Sequence, residues 1–341
     1  MMQYGAKISG WGRSLPKRVV TNFDLEKLFD TTDEWITQRT GIKQRHIADP
    51  ALGETATSLG AQAAKNALAN AQKYSSIKVN PEDVDLIICA TATGDNLFPA
   101  TACLIQRDIG AFNAAAFDMS AACTGFIFAL NTAYNYIRAG QFKNILVIGV
   151  DLMSKFVDWS DRSSAIIFGD GAGACLLTAT SFEEDGFNPF YIKSRGEEVC
   201  SLFVPIVANQ YPVAAADMTV KPQMVYMGGK TVYEFAVKAV PEALEEACRL
   251  AGLEPADIDY FIPHQANMRI IQGAAKRLKI PIEKFICNID RYGNTSAASI
   301  PIAMDEALEL GSVKREAGKK LKLALVGFGG GLTWGAVVLE F

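Results

Sequence analysis

The sequence predicts an α/β protein built from a duplicated unit: two stacked sheets with helices between and outside them. Two observations carry this. Strand-like apolar runs alternate with stretches of helical periodicity along all 341 residues. The second half then echoes the first at three places, in the same order and at similar offsets. Asp83-Val-Asp85 returns as Asp257-Ile-Asp259. The unit around Cys123 returns around Asn294, and Phe168-Gly returns as Phe328-Gly. The expected halves are residues 1–182 and 183–341.

In chain order, residues 7–10 read as a short strand, and residues 31–41 as a capped helix carrying Trp35 and Arg39. Residues 55–72 are alanine-rich with helical periodicity. Residues 80–90 are a turn feeding a buried strand, and Phe98-Pro99 precedes a helix over 100–108. A strand is expected at 143–150, and the glycine-rich segment at 168–174 reads as a turn running into another. In the second half, residues 232–251 carry a helix pattern and 322–326 a strand. Residues 183–226 mix glycine, proline and short apolar runs, and are expected to form a long excursion that lids a pocket.

The chemistry gathers at Cys123. An apolar run at 114–117 leads through small residues to this cysteine, and helical spacing of Phe126, Leu130, Tyr134 and Ile137 begins just after it. Cys123 therefore stands near a helix N-terminus, where unpaired N–H groups favour negative charge and lower a thiol's pKa. Small neighbours (Ser120, Ala121, Ala122, Thr124, Gly125) leave the sulfur approachable. If the duplicated halves pack as a pseudo-dimer, Cys123 and Asn294 occupy equivalent positions facing one site, and His264, ending a strand, joins them. Pro301 implies that the helix after Asn294 begins late or kinks.

Composition narrows the function. A formal net charge of −4 gives no global basic field for nucleic acid or an anionic membrane. Residues 1–8 lack an apolar signal core, and no apolar run reaches transmembrane length, so no membrane association is expected. Seven cysteines without a C-x-x-C pair read as reduced thiols in a cytoplasmic compartment, not as disulfides or a metal site. Of the two histidines, His264 is favoured for catalysis, because His46 sits in a polar connecting stretch.

Cysteine, imidazole and carboxamide together suit acyl-thioester chemistry, since sulfur is both a good nucleophile and a good leaving group. Glycines 329–331 can bring a backbone N–H close to the sulfur. The spacing Gly169-x-Gly171-x-Gly173 does not read as a dinucleotide site, because a strand and not a helix follows it. A Cys-His-Asn peptidase shares the residue order but not the papain-type signature around the cysteine.

At these residues the sequence resembles the β-ketoacyl-[acyl carrier protein] synthase III family, condensing enzymes of the thiolase superfamily. The resemblance covers nearly the whole chain. It is carried by Asp30-Thr-Thr-Asp-Glu-Trp35, Ala121-Ala-Cys123-Thr-Gly, Asp161-Arg162, Phe168-Gly-Asp-Gly171, Pro263-His-Gln-Ala-Asn267, Tyr292-Gly-Asn294-Thr-Ser and Gly329-Gly-Gly-Leu-Thr-Trp334. It implies a thiolase-like fold with a duplicated five-layer αβαβα architecture. It also implies decarboxylative condensation of an acyl-CoA primer with malonyl-[acyl carrier protein], initiating fatty-acid synthesis.

The same resemblance assigns residue roles. Cys123, His264 and Asn294 are catalytic, and the backbone N–H groups of Cys123 and Gly330 form the oxyanion hole. Thr31, Trp35, Arg39, Arg162 and Asn267 hold coenzyme A. Phe98, Met227, Gly229 and Tyr233 line the acyl pocket, Phe98 reaching across a homodimer interface into the partner. Arg269, Lys276 and Arg277 present a basic face to the acidic acyl carrier protein. No cofactor and no metal are implied. Within the superfamily, polyketide-type ketosynthases share the triad and are the alternative.

Overall fold

A computed structural model of the chain describes residues 4–75, 77–205, 223–314 and 320–341. The strands of the first part are β1 (Gly5–Ser14), β2 (Arg18–Thr21), β3 (Gln44–Ile47), β4 (Leu86–Ala90), β5 (Ala115–Met119), β6 (Asn144–Leu152) and β7 (Asp170–Thr180). Those that follow are β8 (Tyr191–Ser194), β9 (Leu202–Phe203), β10 (Tyr226–Met227), β11 (Tyr260–Pro263), β12 (Lys322–Gly329) and β13 (Thr333–Glu340). Helices α1 (Asn22–Leu25), α2 (Asp33–Thr40), α3 (Ala56–Ser75), α4 (Thr101–Ile109), α5 (Gly125–Arg138) and α6 (Arg162–Ala165) intersperse the first group. Then come α7 (Gly229–Leu250), α8 (Met268–Leu278), α9 (Ile289–Tyr292) and α10 (Ser299–Glu309).

Two mixed sheets repeat one topology. The first runs β1-β7-β6-β4-β5, and the second runs β8-β13-β12-β11. In both, the two inner strands are parallel (β4 with β6, β11 with β12) and the next two pairings are antiparallel. The place of β5 in the second sheet is taken by a single parallel bridge between Phe261 and Phe285. Duplication thus accounts for strand order as well as sequence.

Alternation along the central strands builds five layers, because successive strand residues face opposite sides. Ile145 and Val147 of β6 and Leu323 and Leu325 of β12 face the middle, where Phe126 and Leu130 of α5 meet Ile300 and Ala303 of α10. Leu146 and Ile148 face outward onto α3 and α4. Ala324 and Val326 face outward on the other side, onto α7 and α8. This is the α/β thiolase fold, as expected.

Two expectations change. The glycines at 171 and 173 lie inside β7, not in a turn before it. A Cβ on Gly173 would stand 2.8 Å from the backbone N of Ile302, so this glycine lets α10 press against the sheet. Residues 183–226 are not simply an excursion: β8 is the edge strand of the second sheet, and Leu202–Phe203 pairs with β10. The rest of the expected lid, residues 206–222, lies outside the described residues.

Candidate active site

Cys123 lies in a one-turn 3-10 segment, Ala122–Thr124, that leads directly into α5. The matching segment of the other half is Ser296–Ala298, leading into α10. Ala122 and Ser296 both hold a positive φ, 46° and 53°. The offset between them is the same as that between Leu86 and Tyr260, which start β4 and β11, and between Gly125 and Ser299, which start α5 and α10. The structural counterpart of Cys123 is therefore Ala297, not Asn294. Asn294 sits earlier in the chain, so the halves contribute to the site from different depths of the same turn. The helix after it begins late, at Ser299, and Pro301 falls in its first turn, where its missing N–H costs nothing.

Three separated segments bring together the side chains expected to be catalytic. Cys123, His264 and Asn294 all line one cavity of about 530 Å³. His264 leaves the end of β11, its N–H donating to the carbonyl of Val326 at 2.8 Å. Its Nδ1 lies 2.7 Å from Ser299 Oγ, and its ring packs edge-on against Phe328. Asn294 is pinned by its backbone N–H to Ile167, while its carbonyl accepts from Gly169. Its Oδ1 accepts the N–H of Ser296 at 2.9 Å, which leaves the NH₂ group of this cavity-lining side chain as its donor.

Burial sets the protonation states. It pushes the Cys123 thiol up to about 12, opposed by the Ser296 hydroxyl and reinforced by the charge of Asp151. Against the expectation of a lowered thiol, loss of solvent around the sulfur acts upward. Burial also lowers His264 to about 3, so its imidazole is neutral near pH 7. A neutral ring can donate one hydrogen bond without carrying charge into the cavity.

The glycine run closes the other wall. A Cβ on Gly329 would come within 2.8 Å of Cys123 N, so β12 approaches the nucleophile only because this residue is glycine. At Gly330 a Cβ would meet Leu202 O at 3.0 Å and Ala122 Cβ at 3.7 Å. Gly330 is thus one residue further along, beside the turn that holds Cys123.

Other expected residues divide into those in the cavity and those around it. Trp35, Arg39, Asn267, Met227, Gly229, Tyr233 and Arg269 line it. Arg39 and Arg162 each carry their guanidinium over the Trp35 ring, at 5.2 and 4.8 Å from its centroid. Arg162 also donates to the carbonyl of Asp30, and the adjacent Thr31 encloses a hydroxyl oxygen without a partner among the described residues. Asn267 caps α8 and clamps it to α2, through Arg269 N–H and the Arg39 carbonyl. Lys276 and Arg277 are exposed further along α8, with Arg277 3.9 Å from Glu245.

Phe98 is 82% exposed and outside the cavity of its own chain, so it is no core residue. His46 lies away from the site on β3, against Pro16 and Tyr292. Sequence reasoning assigned no role to Ser296, Ser299 or Asp151. The first two stand inside the Tyr292–Pro301 stretch, and hydroxyls closely following Asn294 were the available signal.

No helix among the described residues is long and apolar enough to cross a membrane. The comparisons with known proteins agree with the geometry. Residues 117–196 match the family model 3-oxoacyl-[acyl-carrier-protein] synthase III, and residues 248–341 match its C-terminal model. The chain is 44% identical over 338 residues to the β-ketoacyl-[acyl-carrier-protein] synthase III of Caldanaerobacter subterraneus subsp. tengcongensis, covering 98% of each. It is similar to the crystal structure of 3-oxoacyl-[acyl-carrier-protein] synthase III from Aquifex aeolicus, with TM-score 0.87, 45% identity, and 99% and 100% of the two chains covered. It also resembles the priming β-ketosynthase of a polyketide biosynthetic pathway, with TM-score 0.89, 34% identity, and 99% and 97% covered. Matched by model on both sides of its cavity and by relatives over its full length, the chain belongs to the 3-oxoacyl-[acyl-carrier-protein] synthase III family.

Proposed function

We propose that the chain is an acyltransferase that opens fatty-acid synthesis. It condenses an acyl-CoA primer, such as acetyl-CoA, with malonyl-[acyl carrier protein] through an acyl-Cys123 intermediate. The observation that carries this reading is the meeting of Cys123, His264 and Asn294 in one cavity.

The steps follow from what each group can do. The Cys123 sulfur attacks the primer's thioester carbonyl, and backbone N–H groups of Cys123 and Gly330 hold the oxyanion. Coenzyme A leaves, and malonyl-[acyl carrier protein] enters. His264 and Asn294 donate hydrogen bonds to its thioester carbonyl. Loss of carbon dioxide puts charge on that oxygen, so two fixed neutral donors stabilise the enolate as it forms. The enolate carbon attacks acyl-Cys123 and releases the β-ketoacyl product. Neither metal nor redox cofactor enters this scheme.

Binding roles follow the same reading. The Trp35 face takes the adenine, Arg39 and Arg162 take phosphates, and Thr31 and Asn267 complete the coenzyme A site. Met227, Gly229 and Tyr233 flank the primer. The exposed outer edge of β5 and the exposed side chains of Leu97 and Phe98 support a homodimer in which the sheet continues across the interface and Phe98 enters the partner's pocket. Arg269, Lys276 and Arg277 dock the acyl carrier protein. The halves are read as 1–182 and 183–341, each sheet being drawn from one of them. The compartment is read as cytoplasmic.

Likeness to the priming β-ketosynthase favours, as the second reading, a specialised ketosynthase of the same chemistry. The test is intact mass after incubation with acetyl-CoA. The wild type gains one acetyl group and Cys123→Ala gains none; equal acetylation of both overturns the assignment.

A further inference from the structure

The two sheets share one register, and that register makes Asp151 the counterpart of Gly329. Leu86 lies beside Ile145 in the first sheet, as Tyr260 lies beside Leu323 in the second. Six residues on from Ile145 and from Leu323 stand Asp151 in β6 and Gly329 in β12. The antiparallel neighbours agree, since Gly149 pairs with Gly173 and Gly327 with Gly335. Both residues reach into the opposite half. A Cβ on Gly329 would stand 2.8 Å from Cys123 N, and Asp151 Oδ2 accepts the N–H of Ala297 at 3.2 Å. Ala297 is itself the counterpart of Cys123. Of two equivalent amides, one therefore meets a carboxylate and the other meets a residue with no side chain.

Asp151 is firmly held for this contact. It has no solvent exposure and does not line the cavity. Its Oδ1 accepts from Ala92 N at 2.9 Å, Thr93 Oγ1 at 3.1 Å and Thr91 Oγ1 at 3.3 Å, all on the loop after β4. Its own strand presses on the same turn: a Cβ on Gly149 would stand 2.4 Å from Ala297 O. Neither Thr295 nor Ala298 gives a side-chain cap to the segment leading into α10. The acceptor at that helix head comes instead from β6 of the other half. The turn it holds carries Asn294, whose Oδ1 accepts the N–H of Ser296, and Ser296 keeps a φ of 53°. A side-chain-bearing residue stays in that region only where its surroundings hold it there.

We propose that Asp151 is a positioning residue for Asn294. Its carboxylate fills, in the second half, the place that the first half leaves open for the oxyanion at Cys123. By accepting from Ala297 it fixes the turn from Asn294 to Ala298. Duplication produced two equivalent helix heads: Asp151 closes one, and Gly329 leaves the other to substrate. The carboxylate touches no reacting atom and acts through the carboxamide of Asn294.

The inference rests on Asn294 donating to the malonyl thioester, as in the proposed function. Asp151→Asn is nearly isosteric. Because three donors converge on Oδ1, the carboxamide oxygen takes that place and its NH₂ faces the N–H of Ala297, donor against donor. Carbon dioxide release from malonyl-[acyl carrier protein] is expected to fall on the order of 10²-fold, the cost of a misplaced group. Acetylation of Cys123 by acetyl-CoA, read by intact mass, should stay near the wild-type rate. Asp151→Ser, shorter and neutral, should show the same loss in the one step, and it serves if the Asn variant does not fold. Asn294→Ala should lose the same step, and the double variant Asp151→Asn with Asn294→Ala should be no slower than Asn294→Ala alone. Losses that multiply in the double variant, or that fall equally on both steps, would reduce Asp151 to a support of the fold and overturn the proposal. Unchanged carbon dioxide release overturns it as well. If Asn294→Ala decarboxylates at the wild-type rate, the proposed function fails at that residue and this assignment fails with it.

Discussion

Ser299 Oγ stands 2.7 Å from Nδ1 of His264, and the same oxygen accepts the N–H of Gln265 at 3.3 Å. A serine hydroxyl has one proton to give. When that proton is given to Nδ1, the ring's own proton lies on Nε2, the nitrogen that can donate to a bound thioester, and this is the tautomer the proposed decarboxylation uses. In the proposed mechanism Ser299 acts as a positioning residue. Ser299→Ala should reduce decarboxylation of malonyl-[acyl carrier protein] by about tenfold or more, in line with losses of groups that orient a histidine. Acetylation of Cys123 should be unaffected. Carbon dioxide release measured beside acyl-enzyme mass separates the two steps, and an equal loss in both would contradict the role.

The neutral imidazole has a consequence for stability. His264 is lowered from 6.5 to about 3 by burial, so below pH 6.5 the unfolded chain binds a proton that the folded chain refuses. Its contribution is fully present above pH 6.5 and is lost as pH falls toward 3. The slope is about 1.4 kcal/mol per pH unit within that window. Denaturant melts through the acid range should therefore fall less steeply for His264→Gln than for the wild type. Around neutral pH the decarboxylation step should show no inflection from this residue.

Gly329 is where the second half touches the nucleophile. A methyl group there would stand 2.8 Å from Cys123 N and 3.0 Å from its Cβ. Backbone cannot yield as a flexible side chain can, so Gly329→Ala should cost about 1–3 kcal/mol. It should also displace the cysteine enough to slow acetylation by about 10²-fold, since misplacement of this kind costs that much. Thermal melting and acyl-enzyme formation read the two effects. A variant that is both stable and fully active would mean that β12 can withdraw without disturbing the site.

Charges along α8 allow the proposed carrier docking to be tested apart from chemistry. Lys276 and Arg277 lie outside the cavity, whereas Arg269 lines it and carries its guanidinium over Tyr233 at 5.6 Å. Lys276→Glu combined with Arg277→Glu should raise KM for malonyl-[acyl carrier protein] by about tenfold at low salt, and the difference should shrink as salt screens it. Acetylation by acetyl-CoA should not change. Arg269→Ala should affect both substrates, because its side chain reaches the cavity wall.

Strand and helix positions were legible in the sequence because burial imposes periodicity, and both Cys123 and His264 stood at the ends of periodic runs. The glycine-rich segment at 168–174 was misread because glycine signals a turn locally. In β7 it is instead demanded by α10, through a contact between Gly173 and Pro301 that joins opposite halves of the chain. The edge strand β8 was hidden for a similar reason. A short strand paired on one side by β13 leaves too little pattern to stand out from the loop around it.

By itself the sequence determined that the chain is duplicated, and it named the cysteine, the asparagine and the one of two histidines that the structure brings into one cavity. Periodicity and spacing are local quantities, and each of those conclusions needs only local ones. Tertiary structure decided that Ala297, not Asn294, mirrors Cys123, that the thiol is raised rather than lowered, and that Ser296 reaches the sulfur while Asp151 meets Ala297. Each of these depends on how much water the folded halves exclude and on which atoms meet across them, and neither quantity exists until the chain has closed around the site.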